Sequence, residues 1–501
     1  MLSPKPFHLI LALLAAVLLA FSGCGDDGGE EAASPLDEAL GYLSEDAAFA
    51  FIVSSDLEDY DDVRQLSERF PFGGQVENLL QQALAEEGVD FEEQIEPLLG
   101  NEIVIGTDDN ASFIDSEDDT PFVLAVETGD ADALEELATS AGRDAGESEG
   151  YDIYQGQEDD TWLAVKDEIV VLSNSEETLN TALAQRGEDN RLTEEDVDAA
   201  FEELPGDAPL KVYVNVAALL EVDPDTQEAL KVKWVESLET LGVSADVGED
   251  EVAIDWFLRT DSSDLSDEDL PIATGSEAPQ LLERAGDSAE IAVALREPAQ
   301  VIDFALATLE AIDPATAAQF EAGKAGIGQR LGVDIDDDVL AQLTGDVAAV
   351  ARIDGSFGTR LALEDGPAFQ RTLAKIMVGL PRFADGVVVT RPKAGDRFYG
   401  VATSDGESFA VGVVGDSLVV ANDPVFASDV ATRDLVDAEG QEGALVAVAD
   451  AEQLANAVLA QFAGGIEGLG GSLFTGPLGD LLSSTTAETD GVTGRLELKI
   501  E

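Results

Sequence analysis

The two halves of this 501-residue chain carry the same short motifs in the same order, about 240 residues apart, which points to one structural unit used twice. Gly88-Val89-Asp90-Phe91, leading to Leu99-Gly100 and Ile103-Val104-Ile105, returns as Gly332-Val333-Asp334-Ile335, leading to Thr344-Gly345 and Val347-Ala348-Ala349-Val350. Leu124-Ala125-Val126-Glu127 returns as Leu361-Ala362-Leu363-Glu364, and Gly150-Tyr151-Asp152-Ile153-Tyr154 as Gly395-Asp396-Arg397-Phe398-Tyr399. Asp167-Glu168-Ile169-Val170-Val171 returns as Asp416-Ser417-Leu418-Val419-Val420. A charged, Ser-containing stretch from Thr260 to Pro271 separates the halves. These landmarks predict a first repeat over 36–261, a linker over 262–275 and a second repeat over 276–501.

Within a repeat the candidate strands are short and β-branched: Phe49 to Val53, Phe122 to Val126, and Trp162 to Leu172 around a turn at Lys166-Asp167. Alternation along them predicts antiparallel sheet with one buried face. Asp223-Pro224-Asp225 reads as the cap of a helix whose Leu230, Trp234, Leu238 and Leu241 share a face before Gly242 ends it. Leu454, Val458 and Phe462 repeat the spacing ahead of Gly464-Gly465. The expected class is α+β: two tandem copies of a domain with antiparallel sheet and helices packed on one face.

The N-terminus reads as an address. Lys5 precedes thirteen unbroken apolar residues, Leu9 to Phe21, then Ser22-Gly23-Cys24, the only cysteine of the chain. That run is too short to span roughly 30 Å of hydrocarbon but suits a signal-peptide core. Small residues followed by cysteine form the lipoprotein pattern, in which the thiol takes a diacylglycerol and becomes the first mature residue. Phe21 departs from the usual leucine three positions earlier. The reading is a signal peptide over 1–23, a lipidated Cys24 and a flexible linker over 24–35, polar from Gly25 to Pro35. The expected location is extracytoplasmic, with lipid anchoring to the cell membrane. An ordinary cleaved signal or an uncleaved anchor helix is the alternative.

Composition then narrows the partners. The chain has 105 acidic and 26 basic side chains, a net charge of −79, and 45% hydrophobic residues. The apolar share supports a packed core, so the charge belongs on the surface. Such a surface repels nucleic-acid phosphates and no basic cluster stands out to offset it, so no nucleic acid is expected as a partner. Anionic head groups are repelled within a Debye length of about 8 Å, and the domain should stand off the membrane. Acidic, lysine-poor surfaces suit high-salt surroundings, while GC-rich coding accounts equally for the Ala, Gly, Val and Asp content.

The repeat unit resembles an uncharacterised bacterial family labelled domain of unknown function 3352. The stretches that carry the resemblance are Leu43-Ser44-Glu45-Asp46-Ala47-Ala48-Phe49, Val89-Asp90-Phe91 to Leu99-Gly100, and the Leu163-Ala164-Val165 hairpin into Ile169-Val170-Val171. It covers most of residues 36 to 460. It implies exported or membrane-anchored proteins of high-GC Gram-positive bacteria, and no activity, cofactor or catalytic residue.

Chemistry is argued by exclusion. His8 is the only histidine and falls in the leader, so the mature chain has no imidazole for acid/base work, a serine or cysteine triad, or zinc. Gly415-Asp416-Ser417-Leu418 spells a serine-hydrolase signature, but without a histidine base it reads as a hairpin turn. Gly323-Lys324-Ala325-Gly326-Ile327-Gly328 lacks dinucleotide and phosphate-loop spacing. The glycine-rich Gly464 to Gly471 reads as a loosened helix or as a mobile apolar lid. Acid clusters at Asp334 to Asp338 and Asp115 to Asp119 lack the pattern of a calcium loop, and a paired-carboxylate glycosidase cannot be picked out among so many acids. No catalytic residue, cofactor or metal ligand is expected. The favoured function is a tethered, non-enzymatic binding or scaffold module of the cell envelope, with an envelope protein or apolar ligand as partner. The alternative is a carboxylate- or divalent-cation-dependent ectohydrolase.

Overall fold

The structure is a computed structural model that describes residues 34–55, 61–70, 101–108, 120–129, 131, 138–139, 142–156, 161–206, 208–222, 224–280, 290–384, 386–393, 397–432, 441–462 and 475–501. The chain divides into two compact units, one from residues up to Gln227 with Leu238–Arg259, the other from Glu228–Ser237 with Thr260–Lys499.

The first unit is built on strands β1 (Phe49–Val53), β2 (Ile103–Thr107), β3 (Val123–Glu127), β4 (Gly142–Ser148), β5 (Tyr151–Gly156), β6 (Trp162–Lys166), β7 (Ile169–Ser173), β8 (Leu210–Asn215), β9 (Leu238–Val247) and β10 (Glu251–Thr260). They lie in the order β4-β5-β6-β7-β3-β2-β1-β8-β9-β10, antiparallel at every pair from β4 to β9. The second unit uses β11 (Ile291–Leu295), β12 (Val347–Ala351), β13 (Phe357–Ala362), β14 (Val388–Thr390), β15 (Tyr399–Ala402), β16 (Ser408–Val414), β17 (Ser417–Ala421), β18 (Leu445–Asp450), β19 (Leu478–Glu488) and β20 (Gly491–Ile500). Their order is β14-β15-β16-β17-β13-β12-β11-β18-β19-β20. Strand for strand, the two orders coincide.

Several helices begin where short polar side chains cap free N–H groups, although the helix Pro298–Ile312 has no side-chain cap. In the first unit the helices include α1 (Pro35–Leu40) behind Ser34, α2 (Asp61–Glu68), α3 (Glu176–Gln185) behind Ser175, α4 (Glu194–Phe201) behind a Thr193/Asp196 capping box, and α5 (Val216–Val222). In the second they are α6 (Pro298–Ile312), α7 (Pro314–Leu331) behind Asp313, α8 (Gly366–Phe383) behind Asp365, α9 (Pro424–Thr432) and α10 (Ala451–Phe462).

Two expectations need correcting. The sheets are covered on both faces, not one. In the second unit Phe426 and Val430 of α9 pack with Val350, Val419 and Ala421 on one face. On the other, Phe369, Leu373 and Met377 of α8 pack with Val411, Val413 and Leu418. The first unit likewise buries Val104, Ala125 and Val171 on one side and Ile103, Val126 and Val170 on the other. Ile169-Val170-Val171-Leu172 and Leu418-Val419-Val420 are unbroken apolar runs, the mark of a strand buried twice.

The second correction concerns the helix expected up to Leu241. Pro224–Lys231 is a 3₁₀ helix and Lys233–Glu236 a single α turn, while Leu238 and Leu241 lie in β9. Gly242 pairs with Tyr213 of β8 and ends no helix. A Cβ there would sit 2.1 Å from the Ala200 carbonyl oxygen, so glycine serves the close approach of α4 to the strand. In α10 the expected stripe is only partly inward, with Leu454 half-buried and Val458 52% exposed.

Candidate functional site

Cys24 and residues 25–33 lie outside the described residues; description starts at Ser34, whose hydroxyl accepts the Asp37 N–H at 3.0 Å. The six residues of α1 are too few to hold a helix in water unaided. Tertiary contacts supply the stability: Leu40, Tyr42 and Leu43 are fully buried. Two arginines then fix the acids of the helix. Arg191 Nη2 donates to Asp37 Oδ2 at 2.9 Å and Nη1 to the Asp37 carbonyl at 3.2 Å, while Arg186 Nη2 pairs with Glu38 Oε2. Burial works against ionisation of Asp37, but the Arg191 hydrogen bond, the Glu194 N–H and the charges of Arg191 and Arg186 together hold its carboxyl below the usual value. Beneath them the Tyr42 and Tyr151 hydroxyls share a buried hydrogen bond of 2.7 Å, and Lys166 Nζ stands 4.8 Å from the Tyr151 ring centre. Burial, then the bond to Tyr151, raises the Tyr42 pKa.

Tyr151 lies in one of the repeated motifs and Lys166 in the predicted hairpin turn, but Asp37, Glu38, Tyr42, Arg186 and Arg191 belong to no motif. Their one signal is scarcity: with only 26 basic residues in the chain, a cation such as Arg186 or Arg191 is an informative position.

A recess of about 520 Å³ opens beside the start of α3, lined by Thr107, Asp108, Ser175, Glu177, Thr178 and Thr181 among others. Asp108 lies at its rim, exposed on one side, and accepts both the N–H and the hydroxyl of Ser44 at 3.0 Å. Desolvation of the carboxyl by surrounding protein atoms outweighs those bonds and raises its pKa. The lining hydroxyls are already engaged, Ser175 Oγ with Thr178 Oγ1 at 2.6 Å and Thr181 with the Glu177 carbonyl. Burial also raises the pKa of Glu127, but the β2–β3 register pairs Ile103 with Val126 and leaves Glu127 at the opposite end from Asp108. Some six steps along the strand separate them, roughly 20 Å, beyond either spacing of a glycosidase pair. Among the described residues no group of three or more His, Cys, Asp or Glu side chains is placed to hold a metal ion.

The strings singled out by sequence resolve into architecture. Gly415 and Asp416 form the turn between β16 and β17, with Gly415 at φ +63° and Val414 paired to Ser417. Ser417 is buried beside Arg360, and Asp416 latches the turn: its carbonyl accepts the Leu363 N–H and its carboxylate the Gly366 N–H at the head of α8. The Glu168 carbonyl accepts the Thr128 N–H in the matching turn of the first unit. Gly323 to Gly328 lie within α7, where Lys324 bridges Glu321 and Asp336. Asp334 caps the short helix Ile335–Asp338, and Asp338 accepts the Asp334 N–H in return. Asp115 to Asp119, Gly88 to Gly100 and Gly464 to Gly471 lie outside the described residues. No helix among the described residues is long and apolar enough to cross a membrane, which leaves β-barrel spans unaddressed.

No curated protein matches the chain. Solved structures similar to it include crystal forms III, IV and I of TP0453, each 9% identical. Form III covers 46% of this chain and 82% of its own, form IV 44% and 80%, and form I 46% and 80%. The TM-score is 0.25 for each, too low to carry an argument about this chain. The sequence profile of the DUF3352 family, described as a protein of unknown function, matches residues 8–374, ending in α8. On that match, which spans more than half of its length, the chain belongs to the DUF3352 family.

Proposed function

We propose that this protein is an extracytoplasmic lipoprotein, lipidated at Cys24 after removal of residues 1–23, that presents two copies of one domain as a non-enzymatic binding or scaffold module of the cell envelope. The observation that carries it is the leader ending in Ser22-Gly23-Cys24, followed after a short polar linker by a capped and doubly clamped helix. Ten residues of extended chain reach roughly 35 Å, so the clamp at α1 lies close to the anchor. The coincident strand orders and the matching latched turns support the duplication. Metabolic labelling with a palmitate analogue tests the anchor: the wild type takes up label and sediments with membranes, and Cys24→Ala does neither. A labelled, membrane-bound Cys24→Ala protein would end this reading.

One observation favours an ectohydrolase instead: Asp108 and Glu177 line a single recess, and two carboxylates suffice for glycoside hydrolysis. The corresponding positions of the second unit, after β12 and in the first turn of α9, hold Arg352 and Val425, so this pair is not duplicated. Turnover of a chromogenic glycoside that disappears in Asp108→Asn would establish the second reading, and no turnover across a substrate panel would dismiss it.

A further inference from the structure

Residues 366–384 contain no aspartate or glutamate, in a chain that has 105. They form α8, whose Phe369, Leu373 and Met377 enter the core. Its outward line, at spacings of four, three and four, reads Arg371, Lys375, Val378, Arg382, all exposed. Phe383 ends the helix 37% exposed, with the Arg330 guanidinium 5.5 Å from its ring centre. The following β14 pairs with β15; its Val389 packs against the inward side chains of α8, so Val388, 61% exposed, points to the opposite face of the sheet. Beyond it come Arg391, Lys393 and Arg397, also exposed. Residues 366–397 thus hold six of the 26 basic side chains against two acids, Asp385 and Asp396. Arg186, Arg191 and Lys324 are engaged in ion pairs, but none of these six pairs with a carboxylate among the described residues.

We propose that the outward face of α8 in the second unit docks on a bilayer containing anionic phospholipid. Clustered cations repel one another, and that cost is removed by lipid phosphates. The apolar side chains of this helix, Val378 within the line and Phe383 at its end, decide the kind of anion. At a bilayer surface they enter the head-group boundary while the cations stay at the phosphates, the division of labour of an interfacial helix. A nucleic-acid backbone or an acidic peptide leaves them in water, and the charge of −79 opposes any polyanion that extends past the patch. The stand-off expected from net charge holds for the average surface and fails at this face. The tether at Cys24 is not required for the docking.

Flotation of the full chain tests it, using vesicles of phosphatidylcholine alone and of phosphatidylcholine mixed with phosphatidylglycerol. At low salt, affinity for the mixed vesicles exceeds that for the neutral ones by about tenfold, and high salt abolishes the difference. The variant Arg371→Glu/Lys375→Glu/Arg382→Glu binds both vesicles at the neutral level, whereas the remote reversal Arg143→Glu/Lys231→Glu keeps the preference. Should the triple variant fold poorly, Val378→Ser/Phe383→Ser weakens binding to mixed vesicles with all charges intact. Binding to neutral vesicles reports the N-terminal segment alone, so failure of the anchor is read separately. Equal wild-type affinity for the two vesicles, an undiminished preference in the triple variant, or stronger binding to single-stranded DNA or polyglutamate than to the mixed vesicles would overturn the assignment.

Discussion

Replacing Arg191 by methionine keeps the length and apolar stem of the side chain and removes both hydrogen bonds to Asp37. The pair is neither open nor sealed, with side chains 23% and 17% exposed. Exposed ion pairs contribute about 0 to 1 kcal/mol and breaking a buried one costs about 3 to 5, so a cost of about 2 kcal/mol is expected here. The loss falls on α1, which has no length to stabilise itself, so it appears as local opening ahead of global unfolding. Native-state hydrogen exchange of the amides of Ala39 and Leu40 reads it directly: 2 kcal/mol corresponds to about thirtyfold faster exchange. Asp37→Asn alone leaves the carbonyl bond from Arg191 and should accelerate exchange less. The double variant should fall short of the product of the single effects, by about 1 kcal/mol of coupling or more. A rise of less than about threefold in Arg191→Met, or full additivity, would refute the clamp.

Acid should loosen the same helix. Asp37 has a folded-state pKa below its ordinary 3.8, so its contribution is fully present above that value and is lost as pH falls through the lower one, with α1 exchange accelerating there. Asp108 carries the opposite sign: its raised pKa makes the ionised folded form costly at neutral pH, so Asp108→Asn should melt no lower than wild type at pH 7, and the gap should narrow on acidification. Tyr42→Phe leaves the Tyr151 hydroxyl buried without its partner and should cost about 1 to 2 kcal/mol in urea titration of the first unit. Gly242→Ala drives a methyl into the Ala200 carbonyl and should abolish soluble expression or lower the melting temperature by more than any of the others.

The strands were legible wherever polar and apolar residues mark a short segment bounded by turns, as at Phe49 to Val53 and Trp162 to Leu172, where backbone periodicity and sequence agree. The helix expected through Leu241 was misread because Leu230, Trp234, Leu238 and Leu241 satisfy a helical spacing that Leu238 to Val247 also satisfies as a strand. Only the nonlocal pairing with β8 decides between the two, and pairing is not written in the segment itself. The second covered face was missed for a related reason, since a run such as Ile169 to Leu172 reveals burial on both sides only once a partner layer is known. The cationic face carries no dense run of lysine and arginine. Its signature is the missing acids of residues 366–384, which local charge relative to the chain average would have exposed.

The position of β1 in its sheet bears on the timing of folding. β1 is made early, yet one of its two neighbours is β8, with Phe49 opposite Val214. β11 stands in the same relation to β18, Ile291 opposite Ala449. In each unit the middle of the sheet therefore stays open on one side until about 160 further residues have been synthesised, a high contact order that slows closure. Under the proposed export, that delay would keep the chain passable through a secretion pore until the far strand emerges. The same delay leaves an unpaired central edge during synthesis, so premature retention inside the cell would favour aggregation over folding.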